Sequence, residues 1–225
     1  MIFKEINCYI YIAYNTYYIS SNMFNYKNLL YIISLVIFFS CHGHHAINSK
    51  DPAEIIEKKE QLSLNKDYST LGELIYTINF QVKTDNVNDY EDGFIPWIQL
   101  EKPDADMANL HNKDEIVLNN SSVEILIDYP LNKEYKFTIT SEKGFTREQL
   151  LHAISKQYYI LYEEEENSAT VKTVPLEKRT TMYNRNETDG KYGIWGHDIA
   201  DLVLSSILVY RSNNGKTILA LQIES

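Results

Sequence analysis

Apolar and polar positions alternate in short bursts through most of the chain, and one longer stretch switches to a helical period. Tyr76, Ile78, Phe80 and Val82 alternate with Thr77, Asn79 and Gln81, the two-residue period of a strand with one buried face. "EIVL" (115–118) predicts a short strand and "SVEILIDYPL" (122–131) a stronger one ending at Pro130. "EYKFTIT" (134–140) sets Tyr135, Phe137 and Ile139 against Lys136 and Thr138, a half-buried strand. "LNK" joins the last two at hairpin length. Leu150, Leu151, Ile154, Tyr158 and Leu161 then recur at intervals of three and four, the apolar stripe of an amphipathic helix. Thr146 and Gln149 are spaced as a capping box at its start, with Phe145 placed to staple onto Leu150. The run Glu163–Glu166 predicts its end, because negative charge at a helix C-terminus opposes the backbone dipole. The helix is expected to fray there into a solvated loop. "SSILVYR" (205–211) and "TILALQIE" (217–224) flank "SNNG", and Asn214-Gly215 is a strong hairpin-turn signal.

Upstream the pattern is weaker. Asp51 as N-cap and Pro52 at the first helical position predict a helix to about Leu62, its Glu and Lys residues on a solvated face. "NVNDYEDG" (86–93) reads as a polar loop. In "FIPWIQLEKPD" (94–104), Phe94 and Trp97 are aromatic anchors, while Pro96 and Pro103 confine the segment to an edge or an irregular path. The acidic 101–115 stretch lacks the spacing of a calcium-binding loop and reads as a solvated linker. The expected fold is α+β: a mainly antiparallel sheet with one principal helix on a face, preceded by a short N-terminal helix. From residue 116 the order is strand, strand, strand, helix, loop, strand, strand, and its hairpin–helix–two-strand portion is also the order of a β-grasp unit. Residues 51–225 form one domain, with a less defined part at 51–115 and the best-defined part at 116–225.

Before residue 51 the pattern changes character. Lys27 precedes an apolar run, Leu29–Phe39, that is too short to span a bilayer, for which roughly 20 residues are needed. A positive segment, a short apolar run and a small residue form the layout of a secretory signal. The run ends Phe38-Phe39-Ser40-Cys41, which resembles the lipobox of bacterial lipoproteins, with Ser40 as the small residue before the cysteine. Phe38 stands where Leu is usual and Phe39 is bulky for its place, as in the looser lipoboxes of the Bacteroidota. The resemblance implies cleavage before Cys41 and lipidation of its sulfur. It covers the signal segment alone. Each buried methylene contributes about 0.8 kcal/mol and one acyl chain holds marginally, so two or three chains anchor durably. Met23 begins a compact signal at 23–40, residues 1–22 are expected to be upstream read-through or a long n-region, and "HGHHAINSK" completes a lipidated tether at 41–50.

Charge and cysteine content narrow the function. The chain has a net charge of −10, and residues 1–41 remove two lysines and one glutamate, leaving the remainder one unit more acidic. Such a surface repels phosphate backbones, so nucleic acid is not an expected partner. Cys8 and Cys41 are the two cysteines. The portion after Cys41 therefore has no disulfide, thiolate metal site or cysteine nucleophile, in keeping with an oxidising envelope compartment.

Candidate chemistry concentrates in "YNRNETDGKYGIWGHDIADL" (183–202). Gly190, Gly193 and Gly196 recur every third residue and permit close backbone approach, so a shaped loop is expected. In a binding reading, Tyr192 and Trp195 stack on a sugar ring or clamp a peptide, and Arg185 adds a charge-assisted contact with Arg179 nearby. In a packing reading, Trp195 fills the core beneath a turn and Asp198 caps a short helical turn beginning at Ile199. In a catalytic reading, His197 and Asp198 are the one adjacent base–carboxylate pair, without a nucleophile elbow. No dinucleotide, phosphate-loop or zinc motif occurs, and no cofactor or metal is implied. The leading expectation is a lipid-anchored envelope protein, periplasmic or surface-facing, that binds a protein or glycan partner without catalysis. The alternatives are an envelope hydrolase using His197 and Asp198, and an acidic inhibitor or immunity-type protein.

Overall fold

In the computed structural model, which describes residues 52–179 and 185–225, the period-two segments assemble side by side. The elements are α1 (Pro52–Leu64), β1 (Glu73–Asn79), β2 (Val82–Lys83), β3 (Phe94–Ile95), β4 (Ile98–Gln99), β5 (Ile116–Leu118), β6 (Ser122–Ile127), β7 (Tyr135–Thr140), β8 (Phe145–Thr146), α2 (Arg147–Ser168), β9 (Val203–Arg211) and β10 (Thr217–Glu224). The main sheet runs β1–β9–β10–β6–β7, with β4 also pairing β9. The β6–β7 and β9–β10 hairpins are antiparallel, while β10 lies parallel to β6. The first and last strands of the hairpin–helix–hairpin unit thus lie together at the sheet centre, in the strand order of a β-grasp. The fold is α+β.

Alternation decides which side chains meet. Val123, Ile125 and Ile127 of β6, Ile207 and Val209 of β9, and Leu219 and Leu221 of β10 share one core cluster with the stripe of α2. Leu150, Leu151, Ile154, Tyr158 and Leu161 are all fully buried there. The intervening Tyr210, Ile218 and Ala220 face the other way into a small cluster covered by Tyr68 and Leu71. Phe80, Ile98 and Leu100 extend the main core toward the β4 end.

Thr146 caps α2 as its spacing predicts: its hydroxyl accepts from the Gln149 N–H (3.2 Å) and the Gln149 side chain accepts from the Thr146 N–H (2.9 Å). Asn214-Gly215 makes the β9–β10 turn, where the Ser212 N–H donates to the Lys216 carbonyl. Two expectations fail. The 101–115 stretch is not a solvated linker: two 3₁₀ turns, Pro103–Ala105 and Met107–Asn109, bury Pro103, Met107 and Leu110. Three apolar side chains at intervals of three and four suffice to seat it against the core. The acidic run does not end α2 either. The helix continues to Ser168, and Glu165 is completely buried.

Asp51–Ser225 clusters as one compact unit. Cys41, the 1–22, 23–40 and 41–50 segments, and the expected cap Asp51 lie outside the described residues. Among the described residues no helix is long and apolar enough to cross a membrane.

Replacing Thr146 with Ala removes one arm of the capping box, and the expected loss of stability is about 1 kcal/mol. A urea titration with an unchanged slope and a lowered midpoint is the predicted result.

Candidate functional site

Side chains of the last turns of α2, Glu165 and Tyr162 among them, hold the glycine-rich loop. Glu165, at the next helical interval after Leu161, carries its carboxylate into the loop. One oxygen accepts from the Thr188 hydroxyl (2.6 Å) and the Gly190 N–H (2.8 Å). The other accepts from the N–H groups of Tyr192 (2.7 Å) and Gly193 (3.1 Å). Such converging amides make an anion-binding concavity. Burial alone would raise the carboxyl's pKa. The Thr188 hydroxyl and the three amides outweigh it and hold the carboxyl below its usual 4.5. Tyr162 donates to the His197 carbonyl (2.8 Å) at the far end of the loop. The glycines are explained by the same contacts: a Cβ on Gly190 would stand 2.6 Å from the Glu165 carbonyl, and Gly193 adopts φ +68°.

The loop turns its aromatic side chains inward. Tyr192 is 4% exposed and Trp195 3%. Trp195 meets the Tyr129 ring edge-on at 5.2 Å, and the Tyr192 hydroxyl bonds Glu164. Neither ring presents a free face to solvent. Arg185 is also buried, its guanidinium 5.0 Å from the centre of the Tyr162 ring. Its Nη1 reaches Asp198 at 3.4 Å, while Nε and Nη2 have no hydrogen-bond partner among the described residues. Asp198 also receives both Nη atoms of Arg179, and its N–H donates to Asp201 (2.9 Å) at the head of the 3₁₀ turn Ile199–Asp201.

His197 and Asp198 therefore part company. The His197 Nε2 lies 2.6 Å from the Glu60 carboxylate on α1 and 3.4 Å from the Ser225 hydroxyl. The Tyr129 hydroxyl donates to Glu60 (2.9 Å) and meets Ser225 Oγ at 2.7 Å. Serine, histidine and carboxylate converge, but on a single ring nitrogen. A proton relay needs the hydroxyl on one nitrogen and the carboxylate on the other, so this cluster is built to hold α1, not to activate Ser225. Lys59 adds to the hold, pairing with Glu187 (2.7 Å) and lying 5.6 Å from the Trp195 ring centre.

Where α1 meets the sheet, two adjoining hollows open. The first, of about 370 Å³, includes Glu60, Ser63, Asp128, Ser206, Gln222 and Glu224 in its walls. The second, of about 420 Å³, shares Ser63, Leu64, Tyr68 and Gln222 with it and adds Lys66, Leu208 and Tyr210. Together they form a concave surface in which a ligand has access to side chains of both α1 and the sheet. No group of three His, Cys, Asp or Glu among the described residues is placed to hold a metal ion.

Sequence reading named the loop but not the groups that shape it. Its charge predicts a solvated face for Glu60, although Ile56, Glu60 and Ser63 share the helical interval that turns it inward. Glu165 extends the stripe of Ile154, Tyr158 and Leu161, and that position was the available signal. Tyr129 and Ser225 had none, since only the fold brings them to His197. No family model, curated protein or solved structure matches this chain.

Glu165→Gln puts an amide NH₂ against backbone donors and is expected to cost about 3 kcal/mol. Because the native carboxyl titrates below its unfolded value, its contribution is full above that value and is lost as the pH falls through the native one. The stability gap between wild type and Glu165→Gln should stay constant from neutral pH to about 5 and narrow below 4.5, as read by thermal unfolding across pH.

Proposed function

We propose that this chain is a lipid-anchored protein of a bacterial envelope whose domain is a non-enzymatic binding module for a protein or glycan partner, held to the membrane by acylated Cys41. The observation that carries the binding half is the groove between α1 and the sheet. Its polar side chains include several, Ser63, Ser206 and Glu224 among them, that have no partner among the described residues, and concave surfaces with a few convergent polar groups are where ligands bind. The single-nitrogen arrangement at His197 argues for binding over hydrolysis. The inward aromatic rings move the candidate surface from Tyr192, Trp195 and Arg185 to the groove. The lipobox-like Ser40-Cys41 and the short apolar run before it support the anchor.

Radiolabelled palmitate fed to expressing bacteria should appear on the wild-type chain and be absent from Cys41→Ala, whereas equal labelling of both would end the anchor reading. A photo-reactive benzoylphenylalanine at Ser206, in the groove, should capture a partner in the envelope on illumination, while the same group at Thr138, exposed on β7, should not. Adducts at neither position, or equally at both, would end the groove reading.

A further inference from the structure

Resting on the binding-module reading, we propose that the groove takes an uncharged oligosaccharide. Its carboxylates suggest a cation at first sight, but three of the four are already engaged, Asp67 by the Ser69 N–H and hydroxyl (2.8 Å each). Asp128 pairs with Lys66 (2.7 Å) and accepts from the Tyr68 hydroxyl (2.7 Å). Glu60 is engaged by His197 and Tyr129. Glu224 alone keeps a carboxylate without an ion pair or hydrogen bond among the described residues, and one exposed carboxylate gives little hold on a basic peptide.

What remains open in the groove is mostly hydroxyl. Ser63, Ser206 and Tyr210 line it with side-chain oxygens that make no hydrogen bond among the described residues. A hydroxyl both donates and accepts, as each sugar hydroxyl does. A carboxylate accepts from two neighbouring hydroxyls at once, which suits Glu224 to a vicinal diol. Leu64, 71% exposed, and Leu208 offer apolar surface to the C–H face of a sugar ring. No Lys or Arg lines the first hollow among the described residues, and Lys66 in the second is already paired with Asp128 and Glu134, so a phosphate or uronate would meet Glu224 without a free counter-charge. The walls come from both α1 and the sheet, so a bound saccharide bridges α1, which acts as a strap across the sheet, to the rest of the domain.

The test is calorimetric titration of the full chain in detergent with maltotriose, cellotriose, mannotriose and diacetylchitobiose, alongside trilysine as the cationic probe. At least one saccharide should bind, with an affinity unchanged between low and high salt. Glu224→Gln should weaken it about tenfold, the loss of one hydrogen bond to a charged acceptor, and Ser206→Phe should abolish it by filling the hollow. Glu224 is exposed, so its variant remains informative if Ser206→Phe fails to fold. Salt-sensitive binding of trilysine alone, or no binding by any saccharide, overturns the inference. If a protein adduct nevertheless forms at position 206, the binding-module reading survives while the saccharide does not. Saccharide binding that both variants leave unchanged also overturns the assignment to this groove.

Discussion

The buried carboxylate of Glu165 is the constraint around which this domain is arranged. An ionised carboxylate out of water is costly unless its lone pairs are filled, and here one hydroxyl and three backbone amides fill them. The same four bonds fix residues 188–193 to the end of α2. The loop, so fixed, hydrogen-bonds the turn after β6: the Trp195 N–H donates to the Pro130 carbonyl and the Asn132 N–H to Gly193. Helix, loop and central hairpin become one body. A negative charge on the last turns of a helix normally opposes the dipole; a ring of N–H groups reverses that balance by giving the charge its own positive surroundings.

From that body follows the position of the candidate site. With the loop fixed, Trp195 and Tyr192 complete the core, and the chain emerges with His197 turned to α1 and Asp198 turned to two arginines. α1 is held chiefly by polar grips. Ile56 packs against the core, while Lys59, Glu60 and, just past the helix, Lys66 bond to side chains of the domain. Ile55, Leu62 and Leu64 stay exposed. A helix attached this way covers the sheet incompletely and leaves a groove beside it. Groove and strap are two results of one arrangement: the polar contacts that fasten α1 also consume most of the charge the groove would otherwise present.

Much of the fold was legible because period and capping are local. The stripe of α2, the box at Thr146 and Gln149, the Asn214-Gly215 turn, the alternation in β7 and the apolar runs of β6, β9 and β10 each announce themselves within a few residues. The parallel β6–β10 pairing joins residues about ninety apart, and nothing local encodes it. The site was less legible for the same reason. Sequence adjacency suggested that His197 and Asp198 act together, yet consecutive residues in an extended segment point apart. Glu60 and Glu165 were read by their charge, as solvent-facing, when helical spacing places both toward the domain. Composition describes the average fate of a glutamate; position on the helix decided these two.

Amide hydrogen exchange on the full chain tests the central claim most directly. The N–H groups of Gly190, Tyr192 and Gly193 sit in a loop and meet no backbone acceptor among the described residues, so without the Glu165 carboxylate they would exchange almost freely. The account predicts protection comparable to that of the α2 amides near Leu161, collapsing in Glu165→Gln. Fast exchange at these three amides in the wild-type protein, or protection that persists in the variant, would contradict it.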